Sequence, residues 1–185
     1  IMPSLVGSEM CIRDRSKALL REAGTTSLDM GLMVTTEYPE TVTAAQVIAS
    51  NLDDVGISVT IETLDFGAWL DRQSQGDFDA LMLGWLGNLD PDDYYYAQHY
   101  SSGESNAQKY SNPEVDRLLD AGRTELDMAR RKQIYGDAAT RIADDVSYLY
   151  LYNPSANQAY TTALAGYTVR SDKAVRFRTA RLDRG

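Results

Sequence analysis

The sequence predicts an α/β fold around a mainly parallel sheet. Between residues 28 and 85, apolar strand-like runs alternate with segments of helical period, in the order strand, helix, strand, helix, strand. A helix between consecutive strands is the crossover that parallel pairing needs, and such crossovers are right-handed. From residue 112 onward the pattern becomes mostly helical. A βαβαβ core followed by helices is therefore expected.

The elements follow in order. Residues 16–23 (SKALLREA) read as a short helix with Gly24 just past its end. Residues 28–36 form a strand candidate centred on Leu32, Met33 and Val34. Residues 40–55 place Val42, Ala45, Ile48 or Ala49, Leu52 and Val55 at helical spacing, and Gly56 ends the run. Residues 57–62 (ISVTIE) alternate strictly, so this strand has one wet face and belongs toward a sheet edge. Residues 66–75 are a second helix, with Trp69 on its core side. Gly76-Asp77-Phe78-Asp79 turns into a third strand over 80–85. Asp90 suits an N-cap with Pro91 at the first helical position.

A further helix carries Val115, Leu118 and Leu119. Either Asn112 caps it, with Pro113 next, or Ser111 does, in a capping box with Glu114. Residues 128–144 form a longer helix, with Ile134, Ala138, Ile142 and Val146 four apart. Residues 147–152 read as a last strand, ended by Asn153-Pro154. Residues 156–185 hold only short β-like pieces at 167–169 and 175–177. Such pieces are marginal without a partner sheet, so this tail is expected to pair with something outside the chain.

The 185 residues are enough for a full domain or somewhat more. Hydrophobic residues make up 43% and charged residues 24%, as in a soluble globular protein, and no apolar run can span a bilayer. A net charge of −9 argues against nucleic acid and anionic membranes as partners. One cysteine, Cys11, excludes an internal disulfide, and one histidine, His99, excludes a histidine metal cluster. Residues 1–15 lack the features of a signal peptide. Their string SLVGSEMCIRD resembles translated sequencing-adapter read-through, so they are read as a non-native leader.

The candidate chemistry gathers at strand ends. In open α/β sheets, ligands bind beyond the carboxyl ends of the strands. Trp85 stands at the end of the third strand, as a ligand contact or a core filler. Asn88 and Asp90 follow in the next turn, and Glu37 and Tyr38 follow the first strand at the same sheet end. Asp92 and Asp93 sit in a first helical turn, where negative charge offsets the macrodipole. Three consecutive tyrosines, Tyr94 to Tyr96, cannot share one helix face, so at least one is expected to meet solvent or ligand. Arg130, Arg131 and Lys132 read as a solvated face. Gly84 to Gly87 lacks the Gly-Lys-Ser/Thr ending of a phosphate loop. A hydrolase using Asp90 with Asp92 or Asp93 would need carboxylates on two sides of a scissile bond, which neighbours at one helix start do not supply.

An ordered set of motifs resembles the extracytoplasmic peptide-binding proteins of ABC importers, solute-binding family 5. They are Lys17-Ala18-Leu19-Leu20 with Ala23-Gly24, Val55-Gly56-Ile57 with Val59, and Gly76-Asp77-Phe78-Asp79 leading to Gly84-Trp85. Asp90-Pro91-Asp92, Tyr110-Ser111-Asn112-Pro113-Glu114-Val115-Asp116 and Tyr150-Leu151-Tyr152 complete it. The resemblance implies the C-terminal lobe of a type II periplasmic-binding-protein fold, three-layered and truncated at its N-terminus. Residues 16–155 would form the lobe, and 156–185 would return to a missing N-terminal lobe. It also implies non-enzymatic binding of a peptide or small polar solute, without cofactor or metal. The parent would be monomeric, periplasmic or otherwise extracytoplasmic, free or lipid-anchored, and would deliver its ligand to an ABC permease. In the family a Trp at position 85 lies beside the peptide, and an Asp soon after it pairs with the peptide's ammonium. Here the nearest match is Asn88, which accepts a hydrogen bond without the ion-pair contribution.

Overall fold

A computed structural model describes residues 4–85, 90–153, 155, 157–170 and 174–183. It divides into two compact units, Ile1–Trp85 and Leu86–Gly185.

The first unit is a three-layer α/β body. Its elements are α1 (Ser4–Glu22), β1 (Leu28–Thr35), α2 (Pro39–Asp53), β2 (Ile57–Leu64), α3 (Phe66–Gln75) and β3 (Ala80–Leu81). The sheet order is β2-β1-β3, and both pairings are parallel. β1 is central and buried from Leu32 to Thr35, whereas edge strand β2 keeps its alternating wet face. Leu32 and Val34 pack with Ala45 and Met82, and Val42 and Ile48 of α2 close that layer. Met33, between them, points to the other face by strand alternation. There α3 packs against β1 and contributes the fully buried Trp69.

Turn chemistry fixes these elements. The Asp65 carboxylate caps α3 by accepting from the Ala68 N–H at 3.0 Å. Gly76 ends α3 in the left-handed region, φ 70°, where a Cβ is costly. The Asp79 carboxylate accepts the Gly31 N–H at 2.8 Å, just before β1 meets β3.

Two expectations are corrected here. The first helix begins at Ser4 and not at residue 16. Glu9, Met10, Arg13 and Arg15 are all good helix formers, so propensity continues it. Arg13 also reaches Asp54 at 3.0 Å, an exposed pair of small energetic weight. The third strand spans only Ala80–Leu81, followed by one more bond from the Met82 N–H to the Met33 carbonyl at 2.9 Å. β3 is an edge with β1 as its sole partner among the described residues, and short edges are common.

The second unit is mostly helical: α4 (Pro91–His99), α5 (Pro113–Thr124) and α6 (Met128–Asp144). Val115, Leu118, Leu119, Tyr135, Ala138 and Ile142 form its core. Asn112, not Ser111, caps α5, accepting from the Glu114 N–H at 3.0 Å and the Val115 N–H at 3.4 Å. Ser111 instead bonds the Ser101 hydroxyl. Residues 147–152 form no strand, because no neighbouring strand accepts them among the described residues. In the tail the only described pairing is antiparallel, β4 (Leu164–Ala165) with β5 (Arg181–Leu182). Residues 167–169 and 175–177 stay outside it. The backbone ladder favours the stretches beside the Gly166 turn, φ 71°, over the more apolar pieces.

Candidate functional site

The chain leaves β1 toward β2 on one side and returns to β3 on the other. This makes the β1/β3 carboxyl edge a topological switch point, where open α/β sheets form crevices. Three of the sequence-predicted residues lie along that edge. The Glu37 N–H donates to the Thr35 hydroxyl at 3.3 Å. Tyr38 sits at the N-cap of α2, with its carbonyl accepting from the Thr41 N–H (2.8 Å) and hydroxyl (2.7 Å). The tight turn leaves the Glu37 side chain in solvent and the Tyr38 ring 37% exposed. Trp85, past β3, is 50% exposed.

Sequence reasoning missed one partner at this edge. Phe66, at the start of α3, meets the Tyr38 ring edge-on at 6.1 Å and stacks on Trp69 at 6.1 Å. An aromatic ladder thus runs from the buried core to the exposed rim, and restrains Tyr38 at low entropic cost. Phe66 follows the cap residue Asp65, the only sequence signal that puts it at a strand's carboxyl end.

Asn88 lies outside the described residues. Asp90 belongs to the second unit, where it caps α4 by accepting from the Asp92 N–H at 2.9 Å. Arg131 donates to the same oxygen, Oδ1, at 2.7 Å. That guanidinium, and then the Asp92 N–H, hold the Asp90 carboxyl below the usual carboxylate range. Arg131 is therefore no solvated residue: its side chain is 18% exposed, and it also donates to the Gly122 carbonyl at 2.9 Å. Asp92 accepts from the Tyr135 hydroxyl at 3.0 Å and pairs with Arg123 at 3.2 Å. Burial, then the bond to Asp92, push the Tyr135 hydroxyl up to about 12. These carboxylates tie α4 to its neighbours. Among the described residues no group of three or more His, Cys, Asp or Glu is placed to hold a metal ion.

All three rings of the tyrosine run are half-buried, each packed on one side. Tyr94 and Tyr95 pack on His99, and Tyr96 stacks on Tyr100 at 4.2 Å beneath Arg123. The segment 110–116 is a structural knot. The Tyr110 hydroxyl donates to Asp145 at 2.7 Å, and the Asp116 carboxylate accepts the Ser101 N–H at 2.8 Å.

A family model described as bacterial extracellular solute-binding proteins, family 5 Middle, matches residues 12–107. Di/tripeptide-binding protein 4 of Pseudomonas aeruginosa is 29% identical over 182 residues, covering 90% of this chain and 34% of its own length. The dipeptide-binding protein of Escherichia coli is 28% identical over 165 residues, covering 84% and 31%. Among solved structures, the oligopeptide-binding protein AppA of Bacillus subtilis, in complex with a nonapeptide, superposes with a TM-score of 0.78. It shares 24% identity and covers 92% of this chain and 37% of its own. The chain thus spans about a third of the length of the relatives it matches.

Proposed function

The chain belongs to family 5 of the bacterial extracellular solute-binding proteins, and on that premise we propose that it supplies part of the ligand cleft of a peptide-binding component of an ABC importer. The family is non-enzymatic, and its members are periplasmic or extracytoplasmic. A second lobe closes over the ligand, and binding shifts the open–closed equilibrium toward the form that the permease reads. Residues 156–185 serve as the return to that second lobe. The parent acts as a monomer, exported by its own signal and free or lipid-anchored.

The observation that supports this reading best is the half-exposed aromatic rim at the β1/β3 carboxyl edge. Trp85 and Tyr38 offer apolar faces, Glu37 offers an acceptor for amide or ammonium groups, and Phe66 keeps Tyr38 in place. The ligand-binding roles of Asn88 and Asp90 rest on the sequence resemblance alone. A second reading keeps the fold and changes the cargo. With Asn88 where the family commonly carries Asp, a ligand without a free amino terminus, or a non-peptide polar solute, fits as well. A receptor of the same fold would close identically and signal to another partner.

Native mass spectrometry of the intact protein, purified without added solute, tests the proposal. A mass excess that fragments as peptide supports peptide uptake, and a non-peptide adduct supports the second reading. A protein that stays empty through a library of peptides and small polar solutes overturns both.

A further inference from the structure

The second unit holds a buried histidine that ligand binding does not explain. His99 closes α4 and is fully buried. Its Nε2 lies 3.2 Å from the Tyr150 hydroxyl, while its Nδ1 is buried with no hydrogen-bond partner among the described residues. Tyrosines face the ring from every element around it. Tyr94 and Tyr95 come from α4, and Tyr110 from the connection to α5. Tyr148, edge-on at 4.7 Å, and Tyr150 come from the segment after α6. Asp145 is held one step away, through the Tyr110 hydroxyl.

That last segment has little else to hold it. Among the described backbone hydrogen bonds, none comes from residues 147–153. The Tyr148 hydroxyl donates to the Gln98 side chain at 2.6 Å, and Gln108 reaches the Ser147 hydroxyl at 3.3 Å. Leu149, Tyr150, Leu151 and Tyr152 are exposed, so Tyr150 engages His99 through its hydroxyl alone. The segment is thus anchored by side chains at its start and by the tyrosines against His99 and Gln98.

We propose that His99, Tyr148 and Tyr150 form a latch, released by acid, that holds residues 147–153 against the end of α4. An imidazolium carries two N–H donors, and here only Tyr150 is placed to accept one. Two effects favour the charged ring: the carboxyl end of α4 and the surrounding tyrosine faces. Burial outweighs both and depresses the His99 pKa to about 4, with no carboxylate among the described residues against the ring to oppose it. The latched form therefore keeps His99 neutral, and the released form lets it titrate near the ordinary 6.5. The sign follows: the latch is fully engaged above pH 6.5, weakens as pH falls toward 4, and changes no further below that. Linkage gives a weakening of about tenfold at pH 5.5 and roughly 300-fold at the acid limit.

The test follows limited proteolysis within residues 147–153 in the whole chain at pH 7.5 and 5.5, corrected for the protease's own pH dependence on an unfolded peptide of that segment. Cleavage within α5 serves as the internal reference. Cleavage is expected to rise about tenfold in the segment and not in α5. The rise should vanish in His99→Gln, whose amide can still reach Tyr150. Equal changes in both proteins, or none in either, would overturn the latch. Since His99 is the only histidine, its imidazole can be titrated by NMR in the unmodified chain even if the variant does not fold. A pKa near 4 that coincides with movement of the Tyr150 signals supports the latch. A pKa near 6.5 with those signals unmoved refutes it.

Discussion

Replacing Trp85 by alanine separates the fold from the ligand site more cleanly than any other change. A tryptophan buries about 150–250 Å² when fully covered. Trp85 is 50% exposed, so roughly 100 Å² remains for a ligand to cover. At about 25 cal/mol per Å², that contact is worth about 2.5 kcal/mol, or roughly 70-fold in Kd. The cost to folding should stay near 1 kcal/mol, because the side chain is half in water already. Trp69→Ala is the contrast: a fully buried ring is lost, at about 3–5 kcal/mol in stability. The assay is calorimetric titration of the intact binding protein with the ligand that mass spectrometry identifies, beside urea unfolding of each variant. Fluorescence gives an internal check, since only Trp85 of the two tryptophans is open to iodide, and ligand should shield it. An affinity that changes less than threefold in Trp85→Ala would refute the placement of the cleft at the β1/β3 edge.

Gly122→Ala should destabilise the second unit by about 1–2 kcal/mol, although alanine is the better helix former, because overpacking outweighs propensity. The added Cβ would stand 2.8 Å from the Tyr135 ring, which Asp92 tethers; urea midpoints decide, and a stabilised variant would show that the ring yields. Val146→Asn should raise stability by about 1 kcal/mol, read from thermal melts, because Val146 holds φ 54°, a region that suits Asn better than a β-branched residue. N-acetylation of a bound dipeptide should change its calorimetric Kd by less than tenfold if Asn88 meets the amino terminus. A larger loss would assign that contact to a carboxylate.

The sequence made legible whatever depends on local periodicity. The runs over β1, α2, β2, α3, α5 and α6 each match an element within a few residues, because burial of one face imprints a period of two or 3.6. It misled where the answer depends on a distant partner. YLYLY has every strand preference, yet a strand exists only when another strand pairs with it. The site divides in the same way. Glu37, Tyr38 and Trp85 share one sheet edge as a consequence of parallel pairing, which the alternation of strands and helices announced. The bond from Arg131 to Asp90 spans 41 residues and that from His99 to Tyr150 spans 51, and no local pattern encodes either.

Those long-range contacts also bear on what Asp90 and Asp92 can recognise. Acidic residues cluster after Trp85 in the sequence, and by composition alone they look like a cation site. The structure shows two of them occupied. Asp90 and Asp92 receive Arg131, Arg123, the Tyr135 hydroxyl and a backbone N–H. A ligand ammonium that recruits Asp90 would compete with a guanidinium whose side chain is mostly buried and which is also tied to the Gly122 carbonyl. Displacing that guanidinium would leave a charge without its partner, which costs more than one exposed ammonium contact returns. On the proposed reading, recognition at the β1/β3 edge falls to the exposed faces of Trp85 and Tyr38 and to the Glu37 carboxylate.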